Sequence, residues 1–146
     1  MGIEVNGSAA PPPLGWSRVA PPAGGRGEVA RSLVGAPFRL HGRDPATGLD
    51  CVGVAALVFG VCDVPRGYSV RTADGAGVAA LIDAAGLTRV RREPVAGDLV
   101  LLKSGPAQCH LVVMTDAGFV HADAGIGRVV ETPGPPPWPV IAVWED

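Results

Sequence analysis

The feature that most constrains the fold is a change in the spacing of apolar residues near Gly86. Before it, apolar residues recur at the three- and four-residue spacing of helices. After it, short apolar runs alternate in the manner of strands and are separated by Gly, Pro and Asp. Helices are predicted over residues 28–34, from Cys51 to near Gly60, and from a cap at Thr72 or Asp74 to Gly86.

The second half of the chain predicts a sheet. Its strands are expected over residues 88–92, 98–103, 109–114, 119–122, 127–132 and 140–144. Helices first and antiparallel strands afterwards indicate an α+β fold, with N-terminal helices packed on one antiparallel sheet of about five or six strands. The Pro- and Gly-rich residues 1–26 predict a flexible tail, which leaves 27–146 as a single domain.

Composition excludes two classes of function. The 146 residues are 47% hydrophobic with a net charge of −2, and no basic block is present. Nucleic acid is therefore not expected as the main partner. The longest apolar run is shorter than the roughly 18–20 residues of a membrane span. The first ten residues lack the basic start and apolar core of a signal peptide, so we expect synthesis in the cytoplasm without signal-directed export.

Cys51 is the candidate nucleophile. Asp50 is a good helix N-cap, which puts Cys51 at the first helical position, where the helix dipole favours a thiolate. The residues that follow are apolar on all sides, so this helix is expected to be buried. The alternative interpretation is an inert buried thiol. Three cysteines without a CxxC pair predict neither a disulfide framework nor a structural zinc site, and Cys62 and Cys109 are interpreted as packing residues.

Two histidines are candidates for the base that a cysteine nucleophile needs. His110 and His121 lie on consecutive predicted strands, and the hairpin turn at residues 116–118 brings them near each other. On the functional interpretation His110 is the base for Cys51 and His121 orients it. Structural histidines, or a metal site with Cys51, are the alternatives, and the sequence leaves the strand register open. His41 precedes Cys51 in a loop and either contacts substrate or is solvated.

Four segments, taken in order, resemble the NlpC/P60 family of cysteine peptidases. They are residues 33–39 (LVGAPFR), 48–53 (GLDCVG), 97–100 (GDLV) and 110–121. The resemblance runs from about residue 28 to the C-terminus. It implies a papain-like α+β fold, Cys51 as nucleophile, His110 as base and His121 as the third polar residue. It also implies cleavage of peptide bonds in bacterial cell-wall stem peptides, without a cofactor or metal.

The chain departs from the family pattern beside the nucleophile. Phe38 stands where the family has tyrosine, and Val52 replaces the serine that follows the nucleophile. With Asp50 and His41, these residues are expected around the substrate and the oxyanion. The oxyanion would then depend on backbone N–H groups, beginning with that of Cys51.

The variant motifs FRLHGRD, at residues 38–44, and DCVG, at 50–53, most resemble the subgroup found in phage tails and gene transfer agents. That resemblance implies tail proteins as further partners and a place in a virion-like particle. Two alternatives stay open. One is a catalytically weak structural or wall-binding tail component. The other is an amidase or acyltransferase of the same Cys-His type.

Overall fold

The structure, a computed structural model, describes residues 17–62, 64 and 75–146. Its helices are α1 (Arg26–Arg31), α2 (Cys51–Phe59) and α3 (Ala76–Ala84). The short strands are β1 (Ser17–Arg18), β2 (Arg43–Asp44), β3 (Gly48–Leu49) and β4 (Val61–Cys62). The main strands are β5 (Thr88–Val90), β6 (Leu99–Gly105), β7 (Gln108–Met114), β8 (Gly118–Asp123), β9 (Arg128–Pro133) and β10 (Val140–Glu145). Within these residues, no helix combines the length and the hydropathy that crossing a bilayer requires.

The main strands form one six-stranded sheet in the order β5-β10-β6-β7-β8-β9. Every neighbouring pair is antiparallel. The predicted α+β class and antiparallel sheet are confirmed. The strand bounds differ from the predicted ones by a few residues at most.

Both faces of the sheet are covered by apolar side chains. Because successive strand residues point to opposite faces, one set packs against the helices, with α2 in the centre of the core. The other face carries a smaller cluster to which Trp138 is packed. The members of that cluster are Val100, Leu102, Val112, Met114, Phe119 and Val143.

Helix α2 begins and ends as predicted. The Asp50 carboxylate accepts the backbone N–H of Gly53, and Gly60 ends the helix in the left-handed region at φ 70°. By contrast, α1 begins two residues earlier than predicted and ends at Arg31. Leu33, Val34 and Ala36 donate to carbonyls three residues back, so the helix tightens into turns, whereas the Gly35 N–H donates to the carbonyl of Val129. For α3, Gly75 is the N-cap, and the predicted caps Thr72 and Asp74 lie outside the described residues.

Part of the predicted tail of residues 1–26 lies within the described residues. Residues 1–16 lie outside the described residues, but the chain from Ser17 onward is attached to the domain. Strand β1 pairs with β4, and the Arg18 guanidinium donates to the Phe59 carbonyl and to Asp146. The two-residue strands β1 and β4 are too short to show a periodicity, and they lie more than forty residues apart in the sequence. The sequence therefore does not predict their pairing.

Candidate active site

The site lies where strands β7 and β8 separate. Their pairing comprises Val113 with Val120 and Met114 with Phe119, next to the turn. On the side that faces β6, the Met114 N–H donates a hydrogen bond to the Asp98 carbonyl, and the Gly97 N–H donates one to the Met114 carbonyl. Since the N–H groups of successive strand residues point to opposite sides, the N–H of Leu111 points to the β8 side, beyond the last formed pair.

The Cys51 thiol occupies this gap. Its sulfur accepts hydrogen bonds from the backbone N–H groups of Leu111 and Val52. The residue is buried, with 6% of its surface exposed. The first turn of α2 thus reaches the sheet at the residue adjacent to His110, and this contact places the nucleophile.

The predicted thiolate is wrong for the resting protein. Burial raises the pKa of the Cys51 thiol to about 12, and the two N–H groups that favour the charged form do not offset it. Nearby Asp50 and Cys109 raise it further. The helix dipole acts over only the first turn and is worth about 1 kcal/mol or less, whereas full burial shifts a pKa by several units. Cys51 is therefore a neutral thiol at rest.

The two strand histidines are in direct contact. His110 Nε2 lies 2.9 Å from His121 Nδ1, and the ring centres are 5.0 Å apart at 82°. The register left open by the sequence therefore places both side chains on the same face of the sheet. Because Nε2 of His110 is occupied by His121, Nδ1 is the nitrogen that remains to take a proton from a thiol.

A third side chain, Thr132 on β9, continues this row. His121 Nε2 lies 2.9 Å from the Thr132 hydroxyl. If His110 is to accept a proton at Nδ1, its own proton must sit on Nε2 and be donated to His121 Nδ1. His121 then carries its proton on Nε2 and donates it to Thr132. The hydroxyl can serve as the acceptor in this arrangement, so the row is compatible with the tautomers of a competent base.

Thr132→Val should lower the rate of any reaction that uses His110 as base by about fivefold to tenfold, the worth of one hydrogen bond of about 1 kcal/mol. Thr132→Ser keeps the hydroxyl and should retain the rate. Steady-state kinetics of the two variants, side by side, check this. Equal rates for both variants would contradict a role for the hydroxyl.

Burial also sets the protonation of the pair. It lowers the pKa of His110 to about 4, with the neighbouring His121 lowering it further and Asp123 opposing. Burial likewise lowers the pKa of His121. Both imidazoles are therefore neutral near pH 7, as a base must be before it acts.

The lowered pKa of His110 predicts a loss of stability in acid. Between pH 6.5, the ordinary histidine value, and about 4, the unfolded chain binds a proton that the folded chain does not. The stabilisation is complete above pH 6.5 and is lost as the pH falls through about 4. From pH 7 to pH 5, His110 should account for at most about 2 kcal/mol of the fall in unfolding free energy.

Urea unfolding of the native chain and of His110→Asn at pH 7 and pH 5 measures this share. The variant should lose less stability between the two pH values. A Val140→Ala variant, altered at an exposed residue without a titratable side chain, should lose as much as the native chain. An identical fall in all three proteins would contradict the prediction.

Asp50 holds the loop before the nucleophile. Its carboxylate is 4% exposed and accepts the N–H groups of Gly53 and His41, each at 2.8 Å, and the Arg43 guanidinium at 3.2 Å. His41 adopts a left-handed conformation at φ 60°. The carboxylate predicted at the substrate or oxyanion is thus engaged within the protein, where it ties the loop to the first turn of α2.

Gly53 permits this close approach. A Cβ there would lie 2.2 Å from the carbonyl oxygen of Gly42. Gly53→Ala should therefore destabilise the domain by about 1–3 kcal/mol, the usual cost of overpacking. Gly77→Ala is the matched control, since Gly77 lies in helix α3 with nothing within 4 Å of the added Cβ. It should stabilise the domain by up to about 1 kcal/mol, and chemical denaturation of both variants measures the contrast.

These residues surround a cleft of about 490 Å³. Of the residues predicted from sequence, the cleft brings together Cys51, His110, His121, Asp50, Phe38 and His41. Val52 is not among them: its side chain is buried beside the apolar face of α3, so only its backbone N–H is at the site. Helical periodicity explains this, because the residue after Cys51 is turned by about 100° around α2.

The sequence did not point to Thr132, Ser104 or Trp138. Thr132 lies diagonally across from His121 once β8 pairs His121 with Val130, a register that no local signal reveals. Ser104 and Trp138 line the cleft, and the Ser104 hydroxyl is buried without a partner among the described residues. The one available signal was Trp138, a large aromatic residue between prolines. In the described part of the chain, no group of His, Cys, Asp and Glu is arranged to hold a metal ion.

Comparisons with known proteins show the fold. No protein-family model matches the chain, and no curated protein matches it. Among solved structures, it is similar to the NlpC/p60 domain of the peptidoglycan hydrolase SagA, with a TM-score of 0.50 and 20% identity. The match covers 75% of this chain and 86% of that one. The arrangement of helices on a six-stranded antiparallel sheet is thus consistent with the NlpC/P60 fold that the sequence motifs implied.

Proposed function

We propose that this protein is a cysteine peptidase that cleaves the stem peptides of bacterial peptidoglycan. The observation that carries the proposal is the hydrogen-bonded row of His110, His121 and Thr132 beside a cleft that the Cys51 thiol also lines. A thiol, a neutral base and an orienting group are what nucleophilic catalysis by cysteine requires. The fold and the cell-wall hydrolase found among its structural neighbours support the choice of substrate.

Because both partners are neutral at rest, proton transfer accompanies attack. The Cys51 sulfur forms a bond to the carbonyl carbon of the scissile peptide while its proton passes to His110 Nδ1. The charge of Asp123 favours this imidazolium, whereas the neighbouring His121 disfavours it. His110 then gives the proton to the leaving amine, and an acyl-enzyme remains on the sulfur.

Water completes the reaction. His110 takes a proton from water, the oxygen attacks the thioester carbonyl, and the sulfur leaves and recovers a proton from the imidazolium. The negative oxygen formed in each addition needs a donor. The backbone N–H of Cys51, in the first turn of α2, points out of the helix without an intrahelical acceptor and fills this role.

Stem peptides containing a γ-D-glutamyl linkage are the proposed substrates, and delivery by a phage-like tail is the proposed setting. The first rests on the family resemblance of the residues around Cys51. The second rests on the motifs at residues 38–44 and 50–53.

Mass spectrometry of purified wall peptides tests the substrate. Incubation with the protein should release two fragments from a peptide with a γ-D-glutamyl bond and leave the α-L-glutamyl isomer intact. Cleavage of both isomers would keep the peptidase and remove the linkage specificity. Cleavage of neither, under conditions where Cys51 is intact, would overturn the proposal.

A second candidate function is supported by the burial of Cys51. A thiol that is 6% exposed, with a pKa raised to about 12, also fits a wall-binding component that does no chemistry. Phe38 and Val52, which replace polar residues of the family pattern, point the same way.

Alkylation by iodoacetamide at pH 7 distinguishes the two candidates. In a peptidase, His110 assists the thiol, so Cys51 should be alkylated in the native chain and much more slowly in His110→Asn. In a binding component, the half-buried Cys62 should react first and the His110 substitution should have no effect on Cys51. Peptide mapping by mass assigns the rate of each thiol.

A further inference from the structure

The indole of Trp138 packs against both histidines. Its ring centre lies 5.9 Å from that of His110 and 6.4 Å from that of His121, at 86° and 71°. Phe119 completes the group, at 4.9 Å from His121 and 6.3 Å from Trp138. The His110 ring therefore makes edge-to-face contacts with both His121 and Trp138.

Trp138 is itself held in place at both ends of its segment. The Gly134 N–H donates to the Ala117 carbonyl beside the β7–β8 turn. The Lys103 N–H of β6 donates to the carbonyl of Pro139. Between these anchors the prolines restrict the backbone, so the indole forms a fixed wall over this face of the sheet.

We propose that Trp138 is a positioning residue, which holds the His110 ring with Nε2 on His121 and Nδ1 free for the Cys51 thiol. The torsion that orients an imidazole is broad in the absence of packing. A half-turn of the ring about the Cβ–Cγ bond would exchange each nitrogen with a carbon, so that carbon atoms would face His121 and the thiol. The indole, packed at a right angle to the His110 ring, hinders that rotation.

The wall also excludes water from the base. The titratable groups that line the cleft with His110 are His41, Asp50, Cys51, Cys109, His121 and Asp123. The indole adds no charge to this set. Its removal therefore admits water without changing the charges, and hydration favours the imidazolium. Loss of the wall should thus appear both in the orientation and in the titration of His110.

The inference rests on the proposed function for the role of His110 as base, but its test needs no substrate. Histidine-labelled full-length protein is titrated by NMR, and the ring nitrogen shifts report which nitrogen carries the proton. In Trp138→Ala, His110 should lose its single tautomer, and its titration midpoint should rise by about one pH unit or more toward 6.5. Trp138→Phe, which restores an aromatic wall, should recover most of the native behaviour.

Val140→Ala is the matched control, since Val140 follows the same segment and is 48% exposed. It should leave the tautomer and midpoint of His110 as in the native chain. Native values in Trp138→Ala would overturn the proposal, and so would an equal change in Val140→Ala. If Trp138→Ala does not fold, a Trp138→Phe protein with a mixed His110 tautomer overturns it as well.

Kinetics separate this inference from the proposed function. Where stem peptides are cleaved, Trp138→Ala should lower kcat about tenfold or more with KM little changed, because the base is misplaced and the substrate is still bound. If the native protein cleaves no peptide, the proposed function fails, while the NMR titration still decides whether Trp138 positions the ring.

Discussion

Cys51→Ser should reduce cleavage of wall peptides by about 10⁴-fold or more, the loss typical of removing a nucleophile that acts as a unit with its base. The serine hydroxyl occupies the position of the thiol and carries a proton as the thiol does, but its oxygen is a much weaker nucleophile than sulfur. Product formation measured by mass over long incubations gives the residual rate. Cys62→Ser changes a thiol away from the cleft and should leave the rate unchanged.

A loss of activity in Cys51→Ser can be assigned to the missing thiol, because the fold is expected to stay native. The serine oxygen can accept the same backbone N–H groups as the sulfur, so the far-ultraviolet circular dichroism and the unfolding midpoint should stay close to native. A folded Cys51→Ser protein with native activity would show that another residue carries the reaction.

Substitution of each histidine by asparagine should lower kcat/KM by a very different amount. His110→Asn removes the base and should lower kcat/KM by about 10²- to 10⁴-fold, the usual contribution of general base catalysis. His121→Asn keeps a polar side chain and removes only one orienting bond, so a loss of about tenfold is expected. Steady-state rates at pH 7 for both variants test the order of the two effects. A greater loss in His121→Asn would mean that their roles are reversed.

Local signals explain which parts of the site were predictable. Asp50 is a capping residue followed by an unbroken apolar run, so the start of α2 and the place of Cys51 follow from the sequence. The turn at residues 116–118 between two alternating strands brings His110 near His121. Both inferences depend on residues fewer than a dozen positions apart, and both are confirmed by the structure.

The parts that escaped prediction depend on tertiary contacts. Thr132 reaches His121 only through the pairing of β8 with β9, and Trp138 only through a proline-rich segment folded back over the sheet. The thiol was expected to be ionised from its position on the helix. Burial raises its pKa instead, and the weight of burial against the helix dipole depends on tertiary packing.

Because β7 and β8 separate, the nucleophile takes the place of a strand as hydrogen-bond acceptor for one sheet amide. The Leu111 amide, which β8 leaves unpaired, has the Cys51 sulfur as its acceptor. Once the sulfur carries an acyl group it is a poorer acceptor, so each turnover should briefly weaken one hydrogen bond of the sheet. Exchange of the Leu111 amide proton with deuterium should therefore accelerate when Cys51 is acylated and slow again after hydrolysis. The exchange rate of this one amide proton would then report whether Cys51 is acylated.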